Sequence, residues 1–176
     1  MIVDTKYKNN KNVVAISLVN YLLNTKQKPV FLCIGTDKVI ADAVGVIAGE
    51  LLKNKYHIDA YVYGYLDNVI DGNNLVETIE KVKKLHPDSP IIVIDGILGE
   101  LDEIGQVKFY PHGSIVSGEF NKGIYVGDYS ILAVVNAKGV DSLTLLKSVK
   151  LSNVIRLANF IADSVFQAYK ISFGLI

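Results

Sequence analysis

The chain has 176 residues, half of them hydrophobic, which is enough to bury a substantial core and excludes a disordered or fibrous protein. Its 18 basic and 18 acidic side chains balance, so its charge gives no reason to expect a nucleic acid or an anionic membrane as a partner. The one cysteine, Cys33, has no partner for an internal disulfide, as is typical of a reducing compartment.

The first apolar run, "VVAISLVNYLL", is of the length expected for the core of a signal peptide. Ser17, Asn20 and Asn24 place a polar stripe along it at helical spacing, and no small-residue cleavage site follows. We therefore interpret it as an amphipathic packing helix. Since no segment has the roughly 20 apolar residues of a membrane span, we expect one soluble, cytoplasmic domain over residues 1–176.

Apolar segments of strand length alternate with helical patterns along the rest of the chain. The predicted strands are 30–35, 60–66, 90–95, 105–111 (shorter and expected to be antiparallel) and 129–136, and the predicted helices are 44–52, 73–86, one from about 141 and one from 152. Residues 111–129 are rich in glycine and indicate a long loop. This order predicts an α/β/α sandwich of the phosphorylase/hydrolase kind, with three layers and a mainly parallel sheet.

Two glycines in the second predicted helix suggest how it packs. Gly45 and Gly49 are four residues apart, so they lie on one helical face and would let the helix approach the sheet closely. In the last predicted helix, an apolar face is made by Val154, Ile155, Ala158, Ile161, Ala162, Val165 and Phe166.

Two acidic residues follow predicted strands at the sheet edge where α/β proteins bind ligands. Asp42 lies in "CIGTDKVIADAVG" (33–45), and Asp95 ends the very apolar strand "PIIVID". Each has a structural alternative: Asp42 would favour a helix N-terminus, and Asp95 would need partners to offset burial. Together they predict a carboxylate pair that shares a proton to activate water, or that holds a divalent metal.

Other kinds of site are less well supported. A nucleotide site would need a glycine-rich loop, and Asp42 would repel phosphate from the helix start. Cys33 falls inside a predicted strand, which is typical of an inert core thiol. His112 lies in the long loop, where it is either solvated or a third metal ligand beside Asp42 and Asp95. No GxSxG motif accompanies a serine.

Three separated blocks, "CIGTDKVIADAVG", "IIVIDGILG" and "SGEFNKGIYVGDYSILAVVN", resemble the YyaC family of sporulation proteins. That family is related to the germination (spore) protease and, more distantly, to the hydrogenase maturation endopeptidases. The resemblance extends from about residue 29 to 165. Its strength lies in the order of the three blocks.

The resemblance implies roles for both acids. The germination protease has D-A-L-G-P after its first core strand and I-D-A at the end of a later one, similar to Asp42–Gly45 and Ile94–Gly96 here. Because that protease uses the two aspartates of these blocks to hydrolyse peptides, Asp42 and Asp95 are implied to be catalytic. Hydrogenase maturation endopeptidases use acids at corresponding places to engage nickel in their substrate.

Supporting residues are implied in the same way. The family pattern C-I-G-T-D matches Cys33–Asp37, so Gly35 and Thr36 would support the site and Asp37 would tune or position the acids. Its later loop, P-G-A-G-V-N-K, is matched loosely by Ser117–Lys122.

In that later loop, Asn121 and Lys122 would contact the substrate or stabilise charge on the carbonyl oxygen. The loop is one residue shorter than in relatives. Val46 replaces a proline, and Gly96, which would also support the site, replaces an alanine. The substrate-side loop is therefore expected to differ in shape from that of the relatives.

The leading hypothesis from sequence is a sporulation- or germination-linked peptidase whose substrate is a protein or peptide, such as a spore protein. A homo-oligomer is a possible partner state of the chain. One alternative is a maturation factor in which Asp42, Asp95 and His112 recognise a metal held by a partner. Another is a non-catalytic protein that binds a spore-protein segment in the same cleft. A divalent metal is the cofactor that the acids would accept.

Overall fold

The structure is a computed structural model, and it describes residues 1–5, 10–25, 27–116, 123–139 and 149–174. The strands are β1 (Ile2–Asp4), β2 (Val30–Cys33), β3 (Tyr61–Tyr63), β4 (Ile91–Gly99), β5 (Gln106–Tyr110), β6 (Ser114–Val116), β7 (Ile124–Val126) and β8 (Tyr129–Ala137). The helices are α1 (Asn10–Thr25), α2 (Val44–Glu50), α3 (Leu75–Leu85) and α4 (Leu151–Phe173). Short 3-10 turns form at Ile40–Asp42 and Leu101–Glu103, and a π-helical turn, Leu51–Lys55, continues α2.

The main sheet of the described chain has six strands in the order β1-β5-β8-β4-β2-β3. Strands β8, β4, β2 and β3 run parallel to one another, whereas β5 is antiparallel to β8 and β1 is antiparallel to β5. The mainly parallel sheet is thus confirmed, and so is the antiparallel direction expected for β5.

Helices cover one face of the sheet, and a helix with a β-hairpin covers the other. Along β2 and β4, Phe31 and Ile92 point into a core shared with α1, α2 and α4. The alternate residues Leu32 and Val93 point into a second core with α3 and the hairpin of β6 and β7. Because a strand buried on both faces needs apolar residues at every position, these strands lack polar alternation. The three-layer α/β/α sandwich is confirmed.

Strand β4 runs further than its sequence predicted. It passes Asp95 and ends at Gly99, since β8 extends beside it as far as the Gly99–Ala137 pair. Its other neighbour, β2, is shorter, and the last pair between them is Cys33–Ile94. Asp95 therefore does not end a strand, but it is the first residue of β4 beyond the end of β2.

Two further expectations fail in part. Residues 111–129, expected to be a loop, contain strands β6 and β7, whose three residues each are too short to show a period. Ile155, expected on the buried face of α4, is 43% exposed, because the buried face is centred on Leu157 and Ile161. The helix expected from about residue 141 begins outside the described residues.

The glycines of α2 allow the close approach that their spacing predicted. A Cβ on Gly45 would lie 2.0 Å from the Ile34 carbonyl oxygen, and one on Gly49 would lie 1.9 Å from that of Gly64. Helix α2 thus rests directly on the backbone at the carboxyl ends of the parallel strands. Among the described residues, no helix is long and apolar enough to cross a membrane.

Candidate active site

The sheet has a topological switch point between β2 and β4. From β2 the chain passes through α2, on one face, to β3; it then returns through α3, on the opposite face, to β4 on the other side of β2. Where successive connections leave in opposite directions, a crevice opens beyond the carboxyl ends of the two strands. Asp42 follows β2 and Asp95 lies in β4, so both acids belong to this crevice.

A closed turn after β2 positions Asp42. Gly35, at φ +141°, donates its backbone N–H to the Ile70 carbonyl oxygen at 2.8 Å, and Thr36 N–H donates to the Asp42 carbonyl oxygen at 3.1 Å. A Cβ on Gly35 would lie 2.0 Å from that same oxygen of Asp42. Glycine is therefore needed both for the backbone conformation and for the contact that closes the turn.

Asp95 lies in the gap that β2 leaves beside β4. Ile34 N–H donates to the Ile94 carbonyl oxygen at 2.8 Å, so the backbone of Ile94 faces β2. Backbone groups two residues apart on a strand face the same neighbour, so Gly96 N–H also faces that side. Because β2 ends before it reaches Gly96, this N–H donates instead to Oδ1 of Asp95 at 2.7 Å. The Asp95 carboxyl thus accepts the hydrogen bond that a backbone carbonyl of a longer β2 would have accepted.

Both carboxyls hold protons more tightly than ordinary aspartates do. Burial, aided by the charge of Asp71, raises the pKa of Asp42 from 3.8 to about 6, against the opposing hydrogen bond from the Thr36 backbone. Asp95 is buried, and burial followed by the charge of Asp42 raises its pKa well above 3.8, against the hydrogen bond from Gly96. At neutral pH this arrangement favours an ionised Asp42 beside a protonated Asp95.

A small cleft of about 250 Å³ opens beside Asp42. It is lined by Val39, Ala41, Asp42, Gly96, Ile97, Leu98 and Val135. Asp42 is the acid in this lining, while Asp95 adjoins the cleft through Gly96. The walls are otherwise aliphatic, so the cleft offers one carboxyl in an apolar setting.

The remaining predicted residues fall into three groups. Gly35 closes the turn and Gly96 lines the cleft. Thr36 accepts a hydrogen bond from Lys38 N–H at 3.3 Å through Oγ1, and Asp37 is exposed on the same turn. Asn121 and Lys122 lie outside the described residues, so their implied contacts with the substrate stay predictions.

The structure does not bring His112 to the acids. Ser130, near the start of β8, donates its hydroxyl to the His112 carbonyl oxygen at 2.8 Å, which places His112 at the amino ends of the parallel strands. Because β5 runs antiparallel, the loop that follows it emerges at the edge opposite Asp42. The expectation that His112 could be a third ligand is wrong. Within the described ranges, no three or more His, Cys, Asp or Glu side chains form a group that could hold a metal.

One neighbour of the site was not singled out from sequence. Asp71, in the loop between β3 and α3, accepts hydrogen bonds from Asn73 N–H at 2.8 Å and from its side-chain amide at 3.2 Å. The preceding residue, Ile70, accepts the N–H of Gly35, so this loop is fastened to the Asp42 turn. The run "DGNN" by itself indicates only a turn. Its position after a parallel strand, however, indicates that it lies at the same edge of the sheet as Asp42.

Comparisons with known proteins identify relatives of the chain. Residues 2–164 match the family described as "Protein of unknown function (DUF1256)". The "Uncharacterized protein YyaC" of Bacillus subtilis (strain 168) is 28% identical over 137 residues, which cover 77% of this chain and 67% of that protein. The resemblance to the YyaC family is confirmed.

A solved structure is also similar. The crystal structure of the NiFe hydrogenase maturation protease HycI from Thermococcus kodakarensis KOD1 matches with a TM-score of 0.46 and 19% identity. The match covers 78% of this chain and 92% of that one.

Proposed function

The chain belongs to the DUF1256 family, and we propose that it is a cytoplasmic peptidase, linked to sporulation or germination, that hydrolyses peptide bonds with Asp42 and Asp95. The observation that supports this proposal is the pair of carboxyls with raised pKa values at the switch point of the sheet. Such pairs keep one proton between two acids, which is the state that general acid–base hydrolysis requires.

In the proposed mechanism, the two acids have different roles because their environments differ. Ionised Asp42 accepts a proton from a water molecule, whose oxygen attacks the peptide carbonyl carbon. Protonated Asp95 donates a hydrogen bond to the carbonyl oxygen as negative charge develops there. The proton on Asp42 then passes to the leaving nitrogen as the C–N bond breaks, which restores the starting states of both acids.

The substrate and setting follow from the family resemblance. The residues that match the germination protease blocks are the acids themselves, so a spore protein is the substrate that we propose to test. A chain that binds such a protein through this cleft without cleaving it would fit the non-catalytic alternative.

The test compares wild-type protein with Asp42→Asn and Asp95→Asn on purified small spore proteins, with cleavage followed by mass spectrometry. Removing a general acid or base typically costs 10²–10⁴-fold, and we expect a loss of about that size in each variant. Asp67→Asn is the control, since Asp67 is an exposed acid in the connection between β3 and α3, and it should keep activity. Unchanged cleavage in both site variants would remove the mechanism, and binding by wild-type protein without turnover would support the non-catalytic alternative.

A further inference from the structure

Beyond the end of β2, strand β4 has an unpaired edge. The backbone groups of Gly96 and Leu98 face the side that β2 has left, by the same alternation that turns Ile94 toward Ile34. Asp95 accepts the N–H of Gly96. The last residue pair between β2 and β4 is Cys33–Ile94, so neither Gly96 nor Leu98 has a β2 residue opposite it. Residues 96–98 are also partly exposed.

The aliphatic cleft lies against the same three residues. Gly96 forms part of its lining, and a Cβ there would lie 3.2 Å from the Ala41 carbonyl oxygen and 3.5 Å from Cγ1 of Val135. The lack of a side chain at Gly96 therefore leaves space between these two walls. Asp42 is the charged side chain in the lining, so the rest of the surface suits an apolar group.

We propose that residues 96–98 of β4 bind an extended peptide segment as an added strand, with an aliphatic or aromatic side chain of that segment in the cleft. Unpaired N–H and C=O groups at a sheet edge are matched by an extended backbone, and side-chain pockets beside such an edge give selectivity. A strand that is already paired within a folded domain lacks the free groups to do this. The substrate class is thus an unstructured segment with an apolar residue next to the bond that Asp42 and Asp95 act on.

This inference rests on the proposed function for its position, but its test measures binding alone. Asp95→Asn protein is used, because the substitution should slow turnover by about 10²–10⁴-fold while the amide oxygen of the substituted side chain can still accept the Gly96 N–H. The probes are fluorescein-labelled nonapeptides of Gly, Ser and Thr with one central residue, which is Leu, Phe, Gly or Asp. Binding is measured by fluorescence anisotropy.

We expect the Leu and Phe peptides to bind at least about 10-fold more tightly than the Gly or Asp peptides, as is typical of a side chain in an apolar pocket. N-methylation of the backbone on both sides of the central Leu removes hydrogen-bond donors and should weaken binding by a similar factor. Equal affinities of the Leu and Gly peptides, an N-methylated peptide that binds as well as its parent, or no binding of any peptide at 1 mM would overturn the proposal.

A cleft variant provides an independent measurement. Gly96→Ala places a methyl group between Ala41 and Val135, so it should weaken binding of the Phe peptide several-fold and that of the Gly peptide little. Leu101→Ala, at a residue that is 77% exposed and outside the cleft, is the control. Peptide binding with no cleavage of any substrate would leave this inference standing while the proposed peptidase activity fails.

Discussion

At the scale of single residues, the charge of Asp42 is governed by what surrounds it. Burial and the charge of Asp71 favour its protonated form, and the Thr36 backbone favours the ionised form. The proposed mechanism needs Asp42 ionised, so its pKa should set the lower limb of the pH–rate profile, near pH 6. Above that pH, activity should persist until Asp95 also ionises, which gives a bell-shaped profile.

Asp71→Asn should move that lower limb to a lower pH. The negative charge of Asp71 raises the pKa of Asp42, so its removal lets Asp42 ionise earlier in a titration from acid. The measurement is kcat/KM against pH, with Asp67→Asn, an exposed acid in the same connection between β3 and α3, as the control. A limb that stays in place or moves to higher pH in Asp71→Asn would contradict this role.

Gly35→Ala should destabilise the protein by about 3 kcal/mol or more, because the strained φ and the clash with the Asp42 carbonyl add together. Gly174→Ala is the matched control: its φ is also positive, but a Cβ there meets no atom of the described residues within 4 Å, so it should cost only about 1–2 kcal/mol. Urea unfolding at pH 7 measures both. Similar losses in the two variants would show that the closed turn contributes little.

Sequence predicted the acids of this site better than their neighbours. Asp42 and Asp95 could be predicted for two reasons. Burying an acidic side chain beside an apolar strand costs free energy unless it has partners or a function, and the carboxyl ends of parallel strands lie at one edge of the sheet. His112 was misplaced because its edge depends on the direction of β5, which a pattern of five residues does not fix. Asp71 was passed over because its local sequence explains it as a turn residue.

At the scale of elements, the difference in length between β2 and β4 creates the site. The apolar run before Asp95 predicted a buried strand, but not where its neighbours end, since pairing partners are distant in sequence. The end of β2 at Cys33 and the continuation of β8 to Ala137 are what leave Asp95 beside a gap. The hairpin of β6 and β7 was missed because three-residue strands give no readable period.

In helix α2, helix propensity and packing predict opposite effects of a glycine-to-alanine substitution on the free energy of unfolding. Replacing a helical glycine by alanine stabilises an isolated helix by about 1 kcal/mol. In Gly45→Ala, however, the new Cβ would lie 2.0 Å from the Ile34 carbonyl oxygen, so we expect a loss of about 2–4 kcal/mol in urea unfolding and a fall in activity as the Asp42 turn shifts. Ala48→Gly, a buried position in the same helix, should cost only about 1–2 kcal/mol. A stabilised Gly45→Ala protein would contradict the close approach.

At the scale of the whole molecule, the layered architecture was predictable because alternating strands and helices permit few arrangements. The acid pair has a consequence at this scale as well. A carboxyl with a raised pKa makes the folded state bind more protons than the unfolded state, so stability falls as the pH rises from the unfolded pKa of about 4 through the folded value. For Asp42, stability therefore begins to fall above about pH 4, and it continues to fall until the pH passes the folded pKa of about 6.

Asp42→Asn should therefore stabilise the protein at pH 8, by about 1–3 kcal/mol, while it removes activity. The neutral amide keeps the shape of the side chain and avoids the burial of a charge. Urea unfolding at pH 4 and pH 8 should show the gain at pH 8 and little change at pH 4. Asp37→Asn, exposed on the same turn, is the control, and an Asp42→Asn protein less stable than wild type at pH 8 would contradict the account.

The most direct test of the acid pair is a titration of the aspartate side-chain carboxyl carbons by ¹³C NMR in wild-type, Asp42→Asn and Asp95→Asn proteins. We predict that Asp42 titrates near pH 6, that Asp95 titrates at a higher pH, and that Asp42→Asn lowers the pKa of Asp95 because it removes a neighbouring charge. Midpoints near the ordinary aspartate value of about 4 for both residues, or a pKa of Asp95 unaffected by Asp42→Asn, would contradict the pair.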